Sequence, residues 1–198
     1  VGADLREVRP TVLVGVPRIF EKIYNRIQER AAESGKLATF LLNWSVRVAR
    51  QYAEYRLAHK QIPALLKLKH SIARWLVFSK WHRAFGGRIR LLLSGGAALP
   101  EDLAYIYVGA GIPIIQGYGL TETSPVMTTS EIDNIRVGTV GKAIPIVEIR
   151  IAPDGEIETR GPNVMAGYYN RPEETRAVFT PDGWFKTVDI GSIDSDGY

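Results

Sequence analysis

Apolar residues in the first 88 positions follow one strand pattern and then three helical patterns. Residues 11–16 form a β-branched apolar run that is typical of a central strand. Apolar side chains then recur at helical spacing over residues 18–33, 37–60 and 63–85. Because such stripes usually face a core, we predict a helical layer over a sheet, with the third stripe buried: Leu65, Leu68, Ile72, Trp75 and Leu76.

A strand, a helix and a second strand follow in close succession. The pattern predicts an apolar strand at residues 89–94, a helix that begins at Pro100, and a second strand at residues 112–117. So short a connection predicts a right-handed βαβ unit with parallel strands. Open α/β sheets bind ligands beyond the carboxyl ends of their strands. We therefore expect the chemistry in the two loops at this edge, residues 95–98 and 117–123.

After residue 132 the pattern changes to an alternation typical of antiparallel strands. Alternating segments at residues 147–151 and 156–160 are separated by Asp154-Gly155, and Asp-Gly pairs recur at 182–183 and 196–197. The predicted fold class is α/β, with a parallel sheet layered with helices and then a small antiparallel β subdomain. Its predicted parts are a strand plus helical insertion (1–88), a βαβ core (89–136) and the antiparallel subdomain (137–198).

The composition restricts the chemistry that the chain can carry. The 198 residues include no cysteine, which excludes disulfides, zinc–thiolate sites and a cysteine nucleophile. No apolar run is long enough to span a bilayer. The net charge of +4 is unevenly placed, because residues 1–90 hold 18 Lys and Arg against 6 Asp and Glu. A basic half suits nucleic acid, an anionic membrane or phosphate-bearing ligands, or it pairs with the acidic half.

Residues 116–123, Gln-Gly-Tyr-Gly-Leu-Thr-Glu-Thr, are the strongest candidate for a binding site. Gly117 and Gly119 allow the backbone to approach a ligand on either side of the Tyr118 ring. Thr121 and Glu122 offer a hydroxyl and a hard carboxylate oxygen, as a phosphate with its Mg²⁺ requires. The combination suggests a nucleotide site. The alternative is a strand-to-loop turn with a solvated Thr-Glu-Thr tail.

Several separated stretches resemble the AMP-forming acyl-adenylate synthetases. Residues 116–123, residues 155–161 with 167–175, and residues 183–191 are similar to successive core motifs of that family, in family order. Residues 16–23 and 91–99, with the helical insertion between them, resemble the long-chain fatty acyl-CoA synthetase branch. The resemblance implies a ligase that activates a fatty acid with ATP and Mg²⁺ as acyl-AMP and then transfers the acyl group to coenzyme A.

The resemblance also implies roles for individual residues. The loop from Gly95 to Ala98 would line the adenine and acyl pockets, and Tyr118 would stack on adenine. Thr121 would contact the α-phosphate, Glu122 would hold Mg²⁺, and Asp189 would bind the ribose hydroxyls. By the same resemblance, Thr121 and Glu122 would form the catalytic pair. The implied nucleotide-binding set is Gly95, Gly96, Ala97, Ala98, Gln116, Gly117, Tyr118, Gly119, Thr121 and Asp189.

One position departs from the family pattern, and two family features are missing. The family usually carries Gly before the ribose-binding aspartate, where this chain has Val188, so the geometry of Asp189 depends on whether that backbone needs a positive φ. The family's Gly/Ser/Thr-rich phosphate loop and its C-terminal catalytic lysine are not found in the sequence. We therefore expect a central fragment of a larger ligase, inactive by itself.

Two other interpretations stay open. The chain could belong to a different acyl, aryl or amino-acid adenylating enzyme, or it could be a non-catalytic module that binds a membrane. The basic helices predict contact with an anionic membrane, through the cations and aromatic residues Lys67, Lys69, Arg74, Lys80, Arg83, Trp75, Phe78 and Trp81. We expect small-molecule substrates, no nucleic-acid partner, and a cytoplasmic location with peripheral contact at the membrane.

Overall fold

A computed structural model describes residues 2–198, except for the side chains of residues 2 and 3. The chain forms two compact units. One comprises the residues up to Ile115 together with Ile132–Gly138, and the other comprises Gln116–Glu131 and Thr139–Tyr198. The three-part division drawn from the sequence pattern stays a prediction.

The first unit contains a short parallel sheet. It is built from β1 (Val12–Gly15), β2 (Leu91–Ser94) and the beginning of β3 (Ile114–Gly119). β1 and β2 are parallel, with Val12 opposite Leu91. The Leu92 N–H donates to the Pro113 carbonyl over 2.8 Å, which places β3 beside β2. The helix α6 (Glu101–Gly109) connects these two strands, as the pattern predicts.

Among the residues that the structure describes, this unit contains six α-helices: α1 (Gly2–Val8), α2 (Pro17–Glu33), α3 (Lys36–Leu57), α4 (Ala64–Ala73), α5 (Ser79–Ala84) and α6. A π-helical turn at Arg74–Phe78 joins α4 to α5. Tyr107 lies at the centre of the core, where its hydroxyl donates to the Phe20 carbonyl over 2.9 Å. Helices α3 and α6 approach so closely that a Cβ on Gly109 would lie 2.0 Å from the Ala49 carbonyl oxygen. A glycine is therefore required at this crossing.

The predicted burial of the third helical stripe is wrong for four of its five residues, and Leu76 is half-buried. Leu65, Leu68, Ile72 and Trp75 are exposed, and α4 instead buries Leu66 and Ala73 on its other side. Phe78 and Trp81, expected at a membrane surface, are buried in the core. The segment has two apolar faces, and helical periodicity does not indicate which of them packs against the protein.

The second unit is antiparallel. The end of β3 pairs with β4 (Val126–Thr129), which pairs with β5 (Lys142–Ala143). A separate sheet contains β6 (Glu148–Ile151), β7 (Glu156–Arg160) and β8 (Phe185–Ile190), with α7 (Pro172–Ala177) before β8. The Asp154-Gly155 pair forms the turn between β6 and β7, as predicted. Parallel strands with helices in one unit and antiparallel strands in the other confirm the predicted α/β fold class.

Within the described residues, no helix is both long enough and apolar enough to cross a membrane.

Candidate active site

A tight turn after β3 carries two of the predicted site residues. Thr121–Thr123 form a 3-10 turn in which Thr123 is fully buried. The Thr123 hydroxyl accepts from the Leu120 N–H over 3.0 Å and donates to the Pro125 carbonyl over 2.6 Å. A Cβ on Gly119 would lie 1.7 Å from the Pro125 oxygen, so only glycine fits there. The buried threonine therefore fixes a turn that leaves Thr121 exposed and Glu122 half-buried.

The segment of residues 161–168 holds this turn in place. The Asn163 amide donates to the Thr123 carbonyl over 2.9 Å and to the Val126 carbonyl over 3.3 Å. The Met165 N–H donates to the Glu122 carbonyl over 2.8 Å. Because these bonds satisfy backbone carbonyls within the turn and just after it, they stabilise the backbone that presents Glu122.

The Glu122 carboxylate has a side-chain partner that our sequence analysis missed. The Tyr168 hydroxyl donates to Glu122 Oε1 over 2.9 Å. This bond raises the pKa of the Tyr168 phenol above its ordinary value, because loss of its proton would place two negative charges together. The phenol thus orients Glu122. Tyr168 lies in the stretch of residues 167–175 that resembles a family motif. No local sequence pattern, however, indicates that its partner is Glu122, 46 positions earlier in the chain.

An irregular segment of β8 positions Asp189. Glu158 of β7 pairs with Lys186 of β8, and Glu156 pairs with Ile190. The single residue between them in β7, Ile157, therefore faces the three residues 187–189 of β8. Within this bulge Val188 has a φ of 64°, a left-handed conformation that is rare for a β-branched residue. The family's glycine at this position raised the question of whether the backbone needs a positive φ. It does have one in this chain, although the residue is valine. Bulges of this kind commonly re-aim a side chain near a functional site.

Two side-chain acceptors support the bulge. Glu156 Oε1 accepts from the Val188 N–H over 2.8 Å. The Thr187 hydroxyl accepts from the Asp189 N–H over 3.2 Å and donates to the Ile157 carbonyl over 2.8 Å. Glu156 and Thr187 are both buried, so these bonds replace the ladder bonds that the bulge interrupts. Sequence reasoning gave neither residue a role.

Tyr118 and Asp189, 71 positions apart, meet directly. The Tyr118 hydroxyl donates to Asp189 Oδ2 over 2.7 Å. Burial raises the pKa of Tyr118, and its bond to the Asp189 carboxylate raises the pKa further. The phenol therefore stays protonated and keeps donating, while the Asp189 side chain stays open to solvent. The structure thus joins an aromatic ring to a carboxylate, both predicted from separate motifs.

The other predicted residues are placed as follows. The loop from Gly95 to Ala98 lies in the first unit, where the Gly95 N–H donates to the Gly15 carbonyl and Gly96 has a φ of 77°. Ala97 and Ala98 are exposed. In the second unit, the Gln116 carbonyl accepts from the Ser130 N–H, and Gly117 pairs with Thr129. The roles of these residues in nucleotide binding stay predictions.

The Glu122 carboxylate fits a cation that enters the site together with a phosphate-bearing substrate. Magnesium is commonly held by one or two carboxylates together with substrate phosphates. Tyr168 bonds to Oε1 of Glu122, so a cation at this carboxylate would be held through Oε2. Across the described residues there is no group of three or more His, Asp and Glu side chains that could hold a metal ion. A single carboxylate suits Mg²⁺ that is shared with phosphate.

Comparison with known proteins points to one group of enzymes. Residues 2–169 match the family described as AMP-binding enzyme. The long-chain-fatty-acid–CoA ligase FadD15 of Mycobacterium bovis is 42% identical over 191 residues, which is 96% of this chain and 31% of the ligase. The chain therefore spans about a third of the length of this relative.

Two solved structures are similar in fold. A malonyl-CoA ligase with methylmalonyl-CoA and AMP bound has a TM-score of 0.60 and 31% identity, covering 100% of this chain and 34% of that one. An o-succinylbenzoate coenzyme A synthetase of Bacillus subtilis, in complex with ATP and magnesium, has a TM-score of 0.52 and 36% identity, covering 56% and 25% of the two chains.

Proposed function

Because the chain belongs to the family of AMP-binding enzymes, we propose that it forms the nucleotide-binding part of an AMP-forming acyl-CoA ligase. The observation that carries the proposal is the bond between Tyr118 and Asp189. A ring face can stack on a base, and a carboxylate can accept from two vicinal hydroxyls. Such a pair suits an adenosine nucleotide.

The proposed reaction has two steps. A carboxylate oxygen of the acid attacks the α-phosphorus of ATP, the bond to the bridging oxygen breaks, and pyrophosphate leaves. The sulfur of coenzyme A then attacks the acyl carbon, its thiol proton is released, the bond to the adenylate oxygen breaks, and AMP leaves. Neither step needs a nucleophile from the protein, so the absence of cysteine is no obstacle. The protein contributes positioning and charge neutralisation.

Tyr118 and Asp189 are proposed to hold the nucleoside. The Tyr118 ring would stack on adenine, while its hydroxyl stays bonded to Asp189 Oδ2 and restricts the carboxylate to one orientation. Oδ1 would then accept from the ribose hydroxyls through charge-assisted hydrogen bonds. The left-handed backbone at Val188 is part of this arrangement, because it directs Asp189 out of the β8 ladder.

Thr121 and Glu122 are proposed to act on the phosphates. The exposed Thr121 hydroxyl would donate to the α-phosphate, and Glu122 Oε2 would hold Mg²⁺. The metal would offset the phosphate charge that opposes an incoming carboxylate. Tyr168 positions Glu122 through Oε1, and Asn163 positions the turn that carries both catalytic residues.

The proposed acid substrate is a long-chain fatty acid. The support is the 42% identity with a long-chain-fatty-acid–CoA ligase over 96% of this chain. Similar folds also carry ligases named for malonyl and o-succinylbenzoyl groups, so the class of acid needs a direct test. We further propose that the complete ligase works in the cytoplasm, where ATP and coenzyme A are both available.

Nucleotide binding is tested by calorimetric titration of this chain with AMP. We expect Asp189→Asn to weaken AMP binding by about tenfold or more, because a hydrogen bond to a charged group contributes about 1.5–3 kcal/mol. The matched control is Asp154→Asn, which changes a turn carboxylate that we place outside the site. Folded chain that binds no AMP, or equal affinity in the wild type and Asp189→Asn, would overturn the proposal.

Substrate class is tested in the complete ligase that carries this chain. The rate of pyrophosphate release is measured separately with palmitate, with malonate and with o-succinylbenzoate. We expect palmitate to give the highest kcat/KM. A preference for malonate or o-succinylbenzoate would retain an acyl-CoA ligase but contradict the long-chain assignment.

A further inference from the structure

A ridge of apolar side chains runs along the outer face of α4 and the π-helical turn. Leu65, Leu68, Ile72 and Trp75 follow one another at intervals of three and four residues, so they share one face of the helix. Their exposed fractions are 63%, 59%, 42% and 77%. We call these four residues the α4 ridge. A contiguous apolar surface of this kind typically marks an interaction site.

The α4 ridge faces away from the core of its unit. The same helical segment buries Leu66, Ala73 and Phe78, which pack in the hydrophobic core. The segment is therefore already anchored by a complete buried face. The ridge is a second apolar face that the fold does not need, and its exposure costs free energy in water.

The charged residues next to the ridge in the sequence have one sign. Residues 55–100 contain nine Lys and Arg and no Asp or Glu. Lys67 and Lys69 are exposed and lie between ridge residues in the sequence. Lysine stems can lie along apolar surface while their ammonium groups reach outward. An apolar centre with cationic flanks and an exposed tryptophan is the pattern of a helix that lies in the interface of an anionic membrane.

We propose that the α4 ridge docks this chain on an anionic lipid surface, with α4 lying in the membrane plane. Leu65, Leu68, Ile72 and Trp75 would enter the boundary between headgroups and acyl chains. Lys67 and Lys69 would meet the phosphates of the lipid headgroups. The occupant is lipid rather than nucleic acid, because the centre of the surface is aliphatic and offers no polar group to a phosphate backbone or a base edge.

This inference goes beyond the proposed function and does not depend on nucleotide binding. It also differs from the interpretation drawn from the sequence, in which Phe78 and Trp81 contributed to the surface. Both are buried, so the aromatic contact falls to Trp75 alone in this segment. A helix of this kind lies on the membrane rather than crossing it.

The first test is co-sedimentation of the whole chain with vesicles. We expect binding to phosphatidylcholine vesicles that contain phosphatidylglycerol and little binding to pure phosphatidylcholine. The double variant Leu68→Ser/Trp75→Ser should bind about tenfold more weakly or worse, because burial of apolar side chains drives interfacial binding. The matched control is Leu37→Ser/Phe40→Ser, which removes an apolar pair on α3 that is 72% and 61% exposed.

The second test changes the charges. Lys67→Gln and Lys69→Gln should each lower the affinity for anionic vesicles by about fivefold, since each cation near such a surface contributes a factor of that size. Raising the salt concentration should weaken binding of the wild type and affect the double variant Lys67→Gln/Lys69→Gln much less. Circular dichroism of every variant verifies that these exposed changes leave the fold intact.

The third test uses tryptophan fluorescence. Trp75 is 77% exposed, whereas Trp81 and Trp184 are 2% and 9% exposed. Brominated phospholipid should quench the wild-type emission, and Trp75→Phe should remove the quenching while vesicle binding persists. This variant separates insertion of the ridge from simple electrostatic adsorption.

Four results would overturn the proposal. The first is no binding to anionic vesicles by the folded chain. The second is binding that the ridge variant retains, or that the α3 control loses equally. The third is binding without quenching at Trp75. The last is self-association without lipid that Leu68→Ser/Trp75→Ser abolishes, since this would assign the ridge to contact between copies of the chain.

Discussion

Replacing Val188 by glycine should stabilise the protein, although most substitutions destabilise proteins. The φ of 64° at this residue costs an L-amino acid about 1–2 kcal/mol, because its Cβ approaches the following carbonyl oxygen. Glycine has no Cβ and adopts this conformation freely. The valine side chain is 81% exposed, so its removal sacrifices little apolar burial. The bond from the residue 188 N–H to Glu156 does not involve the side chain and is retained.

The opposing effect is the greater freedom of glycine in the unfolded chain. It costs about 0.5–1 kcal/mol. The expected net change is a rise of about 0.75 kcal/mol in the free energy of unfolding, the difference between the midpoints of these two ranges. For a chain of this size that rise corresponds to an increase of about 1–4 °C in Tm.

The assay is equilibrium unfolding in urea, followed by circular dichroism and by tryptophan fluorescence. The control is Ile190→Gly, two residues away in β8 and 73% exposed, where φ is not positive. It should lose about 0.5–1 kcal/mol, since only the entropic cost of glycine applies there. The reasoning is refuted if Val188→Gly destabilises the protein as much as Ile190→Gly does. The comparison requires that the slope of the free energy of unfolding against urea concentration is the same in the wild type and in both variants.

Three further predictions concern the site. Tyr118→Phe keeps the ring but releases Asp189, so calorimetry should show AMP affinity falling by about tenfold; unchanged affinity would mean that the bond does not orient the carboxylate. Asn163→Asp should destabilise the protein more than Asn163→Ala in urea unfolding, because its carboxylate would face the Thr123 carbonyl; equal losses would mean that the Asn163 amide does not donate to this carbonyl. In the complete ligase, Glu122→Gln should impair adenylate formation from ATP far more than thioester formation from supplied acyl-adenylate, measured as separate half-reactions.

Elements whose patterns are local could be predicted from the sequence. The strand, helix and strand around α6 are predictable because apolar runs are bounded there by Gly and Pro. The Asp154-Gly155 turn is predictable because Asp-Gly has a strong conformational preference. The burial of α4 is not, because Leu66 and Leu68 are chemically alike and only packing against α3 and the core distinguishes them.

The candidate site shows the same limit. The residue types of Tyr118, Glu122 and Asp189 and the resemblance to a family are enough to select them. Their partners are not predictable, because Tyr118 and Asp189 are 71 positions apart and Tyr168 and Glu122 are 46 apart. The question about Val188 arises from the sequence, but only the backbone geometry resolves it, with a positive φ retained at valine.

The bond from the Met165 N–H to the Glu122 carbonyl makes one amide proton a reporter of the turn that carries Thr121 and Glu122. That proton can exchange with solvent deuterium only when the turn and the segment of residues 161–168 separate. Its exchange rate therefore measures the free energy of this local opening. If a nucleotide binds only the closed turn, the exchange rate must fall in proportion to the unoccupied fraction of the sites, by linkage. Site occupancy can thus be followed at a backbone position that contributes no side chain to the proposed chemistry.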